Sequence, residues 1–108
     1  MAEPNIPGHG PVAKTRGEWT GRISSITREP LSSAPRFTAR LSEIKGAAIP
    51  VPESGQSARD IRLLWLGRRK VGGIEPGSTL RVSGMLTTRG GLATIINPAY
   101  EIISAPQA

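Results

Sequence analysis

Eleven of the fourteen basic residues in this 108-residue chain are arginines, and they are the residues whose chemistry points most directly to a ligand. The arginine guanidinium is planar and pairs with phosphate oxygens in a bidentate geometry that lysine does not match. Eight acidic residues leave a net charge of +6, which favours a polyanionic partner or an anionic surface. Phosphate binding is the chemistry that this composition favours. A basic surface without a dedicated ligand is the alternative.

The candidate contacts recur on predicted strand faces and in the loops beside them. Alternation puts Arg36 and Arg40 on the outer face of one predicted strand and Arg62 on the outer face of the next. A basic groove of this kind follows the backbone of a single strand, and exposed aromatic rings add stacking on the bases. The predicted nucleic-acid contacts are Arg28, Arg36, Arg40, Arg62, Trp65, Arg68, Arg69, Lys70, Arg89 and Tyr100.

Each candidate also has a structural interpretation. Trp19, Phe37 and Trp65 share strand faces with apolar neighbours, which favours core packing for their rings. Tyr100 follows a proline near the end of the last predicted strand, where we expect it to be half-exposed. An arginine on a strand can be a solvated residue paired with an acid on the neighbouring strand. The acids considered for such pairs are Glu18, Glu43 and Glu101.

The residues needed for catalysis are scarce. The chain has no cysteine, which excludes disulfides, thiol catalysis and thiolate metal sites. Its one histidine, His9, lies between glycines with no acidic cluster near it, so no metal site is expected. The segment "GHGPVAKT" (8–15) lacks the second glycine of a phosphate-binding loop, and neither a strand before it nor a helix after it is predicted. We therefore expect no enzymatic activity and no cofactor.

The first predicted strand begins at Gly17 and has one apolar face. Trp19, Gly21 and Ile23 alternate with polar residues, as in a strand buried on one side. The next apolar residue is Ile26, so the period slips by one residue. This slip predicts a β-bulge near Ser24-Ser25 that bends the strand.

Four further strands are predicted, with turn-rich segments between them. The third is apolar at nearly every position, which indicates that both of its faces are covered for part of its length. Pro98 cannot donate to a sheet and should interrupt strand pairing there. The predicted strands cover residues 36–43, 60–67, 78–86 and 92–103, the loops cover 28–35 and 87–91, and longer connections cover 44–59 and 68–77.

These elements predict one domain. Residues 1–16 are expected to form a flexible arm, residues 17–103 the domain, and residues 104–108 a short tail. Five short strands with a bulged first strand favour a five-stranded Greek-key β-barrel of the OB type, with a short or absent helix between strands three and four. A small open sandwich is the alternative. No apolar segment suits a signal peptide or a membrane span, so a cytoplasmic protein is expected.

The second half of the chain carries a family resemblance. "IRLLWLGRRKVGGIEPGSTLRVSGMLTTRGGLATIINPAYEII" (61–103) has a P-G turn, "V-S-G" in the fourth strand and "N-P-A-Y-E" in the last. It resembles OB domains of the tRNA-anticodon type, in particular the wedge domain of RecG-type DNA helicases, and it is similar to short stand-alone OB proteins of actinobacteria. The chain differs from that pattern at 44–59, which replaces a tight turn, and at Trp65-Leu66, which replaces paired aromatics.

The resemblance implies nucleic-acid binding. Together with the distribution of the arginines, it predicts a non-catalytic protein that binds single-stranded nucleic acid, DNA more than RNA, and the small number of aromatic rings predicts little sequence specificity. OB domains also bind proteins, so an adaptor or accessory subunit is the alternative. In that case the apolar third strand and the proline-rich segment 47–52 would dock on a protein partner. An apolar patch on the third strand bordered by few charges would favour the adaptor. The sequence leaves the oligomeric state open.

Overall fold

The computed structural model describes residues 14–46 and 60–106, and within these ranges the chain is all-β, with no helix. Neither range therefore contains a helix that could span a membrane. The six strands are β1 (Thr15–Thr27), β2 (Arg36–Gly46), β3 (Ile61–Leu66), β4 (Thr79–Arg89), β5 (Leu92–Ile96) and β6 (Ala99–Ser104).

Five of the strands form a closed ring. β1 pairs antiparallel with both β2 and β4, and β2 pairs antiparallel with β3. A short parallel pairing joins β3 to β5, and β5 pairs antiparallel with the end of β4. The ring order is thus β1-β2-β3-β5-β4, which is compatible with the predicted barrel, and β6 pairs with the first part of β4.

The alternation predicted for the first two strands is confirmed. Trp19, Gly21 and Ile23 of β1 are buried with Phe37, Ala39 and Leu41 of β2, while the alternate residues of both strands are exposed or half-buried. Because side chains on a strand alternate between its two faces, burying one set leaves the other on the outer surface. The apolar residues of β3, β4 and β5 complete the core, and they include Ile61, Leu63, Leu80, Val82, Leu86 and Ile95.

The bulge predicted in the first strand is also confirmed. The pairing of β1 with β2 shifts between Ile23 and Ser25, which leaves Ser24 as the additional residue. A second irregularity, not predicted, occurs opposite residues 20–22, where Glu43 has a φ of 56°. β2 continues past it to Gly46, so the connection predicted to begin at residue 44 begins later, and residues 47–59 lie outside the described ranges.

The predicted hairpin loop over residues 87–91 is too long. Thr87, Thr88 and Arg89 belong to β4, and Arg89 pairs with Leu92. Only Gly90-Gly91 forms the turn, with φ values of 60° and 79°. A two-residue turn with positive φ at both positions matches the twist of the flanking strands, and glycine adopts it without steric cost. Arg89 is therefore the last residue of β4 and lies outside the turn.

The predicted last strand is divided into β5 and β6. The interruption falls at Asn97-Pro98, as expected for a residue without an N–H group. Asn97 has a φ of 52°, which turns the chain before Pro98. The structure therefore has six strands where five were predicted. β6 pairs antiparallel with β4, with Leu80 opposite Ile102 and Val82 opposite Tyr100.

The apolar third strand is covered unequally on its two faces. Ile61, Leu63 and Trp65 are buried on the inner face, and Leu64 on the outer face is half-buried. Leu66 is 51% exposed. The outer face of β3 thus combines a partly covered centre with an exposed apolar end. The connection from residue 67 to residue 78 consists of turns, so no helix forms between β3 and β4.

β1 and β2 approach each other closely at Gly21. A Cβ atom there would lie 2.6 Å from the Ser42 carbonyl oxygen and 2.8 Å from Leu41 Cγ. Because the strands cannot separate without losing core contacts, Gly21→Ala should lower the free energy of unfolding by about 1–3 kcal/mol in urea denaturation. Gly72→Ala is the matched control, since a Cβ at Gly72 would meet no atom within 4 Å. Equal stability of the two variants would contradict this account of β1.

Candidate nucleic-acid interface

Four of the predicted arginines line one concave surface on the outside of the ring. We call this surface, which encloses about 460 Å³, the basic groove; its arginines are Arg36, Arg40, Arg62 and Arg89. Strand register explains the convergence, because residues opposite each other on paired strands point to the same face. Arg40 lies opposite Arg62, and Thr38 lies opposite Leu64. The two-residue hairpin turn brings Arg89 of β4 to the same surface.

Part of the lining of the basic groove is aliphatic. Leu64 of β3 and Leu92 of β5 line it, and both are half-buried. The hydroxyl residues Ser25, Thr27 and Thr38 complete its polar surface. An apolar surface surrounded by guanidinium groups can contact a flat, weakly polar group while the arginines bind anionic oxygens beside it.

Arg62 is held in place by two hydrogen bonds. Its Nε donates to Thr94 Oγ1 at 3.3 Å and its Nη2 donates to the Arg89 carbonyl oxygen at 2.9 Å. The Thr94 hydroxyl is fully buried and donates in turn to the Leu92 carbonyl oxygen at 3.0 Å. Because these bonds use only part of the guanidinium, the remaining N–H groups stay available. A fixed guanidinium loses less conformational entropy when it binds an anion.

Two acids neutralise part of the groove. Glu29 forms an ion pair with Arg36, with 3.4 Å between Oε2 and Nε, and the Glu29 side chain is only 17% exposed. Asp60 forms an ion pair with Arg40, with 3.8 Å between Oδ2 and Nη1. Within the described residues Arg89 makes no ion pair, and the groove lining holds four arginines against one carboxylate, that of Glu29. The groove is therefore cationic even with its ion pairs formed.

The acids considered as alternative partners pair with other arginines. Glu43 pairs with Arg22, while Glu18 and Glu101 pair with Arg81. These pairs are exposed, and exposed pairs contribute little to stability. Neither Arg22 nor Arg81 lines the groove. The cross-strand acids therefore do not neutralise the predicted contacts.

A second cavity of about 750 Å³ lies beside the groove. We call it the loop pocket, because it lies between the loop at 28–35 and the connection at 67–78. Arg28, Arg69 and Lys70 line it, so these predicted contacts are not in the basic groove. Arg36 and Glu29 line both cavities. Arg68 is exposed and lines neither.

Arg69 has a structural role that the sequence did not predict. Its Nη1 donates to the Pro30 carbonyl oxygen at 3.2 Å, and its Nη2 donates to the carbonyl oxygens of Leu31 and Ser33 at 2.9 and 2.7 Å. These bonds connect the loop after β1 to the connection after β3. Most of the donors on the Arg69 guanidinium therefore already have protein acceptors, and a contact from Arg69 to phosphate stays a prediction.

Phe37, Trp65 and Tyr100 pack together, with Phe37 and Trp65 buried and Tyr100 half-buried. Trp65 is 4% exposed, and its ring centroid lies 5.9 Å from Phe37 and 5.7 Å from Tyr100. Its Nε1 donates to the Pro98 carbonyl oxygen at 3.2 Å. Tyr100 is half-buried as expected, and its hydroxyl donates to the Gly72 carbonyl oxygen at 2.7 Å. Trp65 is a core residue and its ring is not exposed to stack on a base, and Tyr100 lines neither cavity.

Sequence reasoning missed Glu29, Thr94 and the aliphatic pair Leu64 and Leu92. Alternation in "LATII" could have found two of them, because Leu92 and Thr94 share a face of β5 that adjoins Arg62. No such pattern indicates Glu29, because a residue in a loop does not take part in the alternation of side chains along a strand. Its position becomes evident only when the loop is folded against Arg36.

Comparison with protein-family models, with curated protein sequences and with solved structures finds no match to this chain. In residues 14–46 and 60–106 no three metal-binding side chains come together. His9 lies outside those ranges. The function of the chain must therefore be inferred from the geometry of the two cavities.

Arg69 and Arg68 provide a test of the structural role. Arg69→Ala should lower the free energy of unfolding by about 1 kcal/mol, because three carbonyl groups lose a charged donor and are rehydrated. Amide exchange in residues 28–35 should accelerate. Arg68→Ala removes the same charge from an exposed site without hydrogen-bond partners in the described chain, so its effect should stay within about 0.5 kcal/mol. Denaturation and hydrogen-exchange mass spectrometry measure both effects, and indistinguishable variants would refute the assignment.

Proposed function

We propose that this chain is a non-catalytic nucleic-acid-binding protein that holds single-stranded DNA in the basic groove with little sequence specificity. The observation that carries the proposal is the convergence of Arg36, Arg40, Arg62 and Arg89 around an aliphatic surface. Guanidinium groups match phosphate oxygens, and the aliphatic surface matches the faces of unpaired bases. A cytoplasmic location stays a prediction from the sequence.

The architecture supports an OB-type domain. OB barrels bind oligonucleotides on strands two and three, between the loops that join strands one and two and strands four and five. The basic groove occupies the corresponding position, with Arg40 on β2, Arg62 on β3, Glu29 in the loop after β1 and Arg89 beside the β4–β5 turn. The likeness to the wedge domain of RecG-type helicases is part of the same proposal.

The composition of the groove favours a single strand over a duplex. Base faces are stacked inside a duplex and cannot reach Leu64 and Leu92, whereas a single strand can turn its bases to them. Threonine and serine hydroxyls donate to and accept from any base, so they do not select a sequence. With no aromatic ring lining this groove, binding is mainly electrostatic and decreases steeply with salt.

A protein-binding adaptor is the second candidate. The outer face of β3 carries Leu64 and Leu66, but Arg36 and Arg62 border it, so it lacks the charge-poor surroundings that would favour a protein partner. The observation that favours an adaptor lies elsewhere, on β6, where Ile102 and Ile103 are 43% and 44% exposed. The segment 47–52 lies outside the described ranges. Because the two candidates use different surfaces, variants in the groove distinguish them.

Binding to the groove predicts a defined salt dependence. Fluorescence anisotropy with labelled oligo-dT should give a log K against log salt slope of about −2.8 if the four arginines each neutralise one phosphate. Replacing Arg40 and Arg89 by alanine should reduce the slope to about −1.4 and lower the affinity at low salt by about tenfold or more. Duplex DNA should bind more weakly, and oligo-rU is compared to test the preference for DNA.

The matched control replaces Arg22 and Arg81 by alanine. It removes the same charge from the same sheet, but neither arginine lines the groove. We expect its slope to equal that of the parent protein. An absence of binding at low salt would refute the proposal. Equal losses in the two double variants would assign the binding to net charge instead of the groove.

Glu29 should weaken binding, because its carboxylate lies inside the groove and pairs with Arg36. Glu29→Gln keeps the shape of the side chain and should raise the affinity for oligo-dT at low salt by about threefold to fivefold. Glu101→Gln changes the net charge equally on β6, and it should leave the affinity unchanged. The same anisotropy titration measures both variants, and an equal increase in both would contradict a local effect of Glu29.

A further inference from the structure

The loop pocket combines an apolar wall with cations that have no ion-pair partner in the described chain. Phe37, Val71 and Ile74 form the buried part of the wall, and Leu31, which is 83% exposed, stands at its edge. Arg28 and Lys70 line the same cavity, and within residues 14–46 and 60–106 neither forms an ion pair. A flat apolar face beside an anionic group is the ligand chemistry that fits this combination.

Two hydrogen-bonded connections build the pocket. The three bonds from Arg69 hold the loop that carries Arg28 and Leu31. On the opposite side, the Tyr100 hydroxyl holds the Gly72 carbonyl group of the connection after β3. The walls are therefore fixed before a ligand arrives, which lowers the entropic cost of binding.

The loop pocket adjoins the basic groove. Glu29 and Arg36 line both cavities, so a chain that leaves the groove at Arg36 has the pocket next to it. Glu29 and Glu75 supply the carboxylates of the pocket, and Arg28, Arg36, Arg69 and Lys70 supply its cations. Cations are thus in excess along the whole path, as a phosphate backbone requires.

We infer that the loop pocket binds the next nucleotides of the strand held in the basic groove, with a base on the exposed Leu31 and phosphates on Arg28 and Lys70. This inference rests on the proposed function. It extends the interface past the Arg36–Glu29 ion pair, around the base of the loop at 28–35. The full site is then longer than the four-arginine groove and takes an oligonucleotide of corresponding length.

Salt titrations with oligo-dT of increasing length test the inference. Short oligomers of about four nucleotides fill only the groove, whereas oligomers of about eight to twelve nucleotides reach the pocket. The longer oligomers should show a slope of log K against log salt steeper by about 1.4, for two additional phosphates. A longer oligomer also offers more binding registers, which raises its affinity but leaves the salt slope unchanged. The slope therefore reports the added contacts.

Variants of the pocket should affect only the longer oligomers. Replacing Arg28 and Lys70 by alanine should cancel the additional slope and leave the binding of short oligomers unchanged. Leu31→Ser should lower the affinity for long oligomers by about threefold to tenfold without changing the slope, because an apolar contact releases no counterions. Replacing Lys14 and Arg16 by alanine is the charge-matched control, since neither residue lines a cavity.

The outcomes separate this inference from the proposed function. If short oligomers bind with the slope expected for the groove but length does not steepen it, the extension into the pocket is refuted while the groove remains. An equal loss for short and long oligomers in the Arg28 and Lys70 variant also refutes it. If no oligomer of any length binds, both the proposed function and the extension into the loop pocket are refuted.

Discussion

Three hydrogen bonds attach the Asn97-Pro98 corner to the end of β3, and the closure of the ring depends on them. The Asn97 N–H donates to the Leu64 carbonyl oxygen at 2.6 Å, the Leu66 N–H donates to Asn97 Oδ1 at 2.9 Å, and Trp65 Nε1 donates to the Pro98 carbonyl oxygen at 3.2 Å. The parallel pairing of β3 with β5 is short, so it needs this support. The corner also ends β5, where Pro98 cannot donate. One constraint thus closes the ring and buries Trp65 against Pro98.

Closure at this point also assembles the basic groove. Arg62 of β3 reaches Thr94 of β5 and the Arg89 carbonyl group only because the two strands lie side by side. The guanidinium groups come from three different strands, and no segment of the sequence contains more than two of them. Like charges repel when they converge, and the aliphatic surface beside them is costly to expose. Folding alone does not require both features on one surface of the ring, and this is why the basic groove carries the proposed function.

Much of the fold could be predicted because it follows from local patterns. The faces of β1 and β2, the bulge at Ser24 and the interruption at Pro98 each depend on a few consecutive residues. The features that were not predicted have tertiary causes. Arg69 looks like any basic loop residue until the carbonyl groups of 28–35 lie beside it, and the division of the arginines between two cavities depends on how that loop folds. The predicted hairpin loop is too long because "TTRGG" is compatible with either a five-residue loop or a two-glycine turn after a longer strand.

The aromatic residues decide what kind of interface this protein can offer. The chain has only four, and Trp19, Phe37 and Trp65 are buried while Tyr100 is bonded to Gly72. A core of this size requires large side chains, and rings used there cannot also stack on bases. The outer surface of β3 and β5 therefore presents leucine where a more aromatic protein would present a ring. In the proposed complex, leucine contacts a base without the stacking that rings provide, so the arginines supply most of the affinity and discrimination among bases is weak.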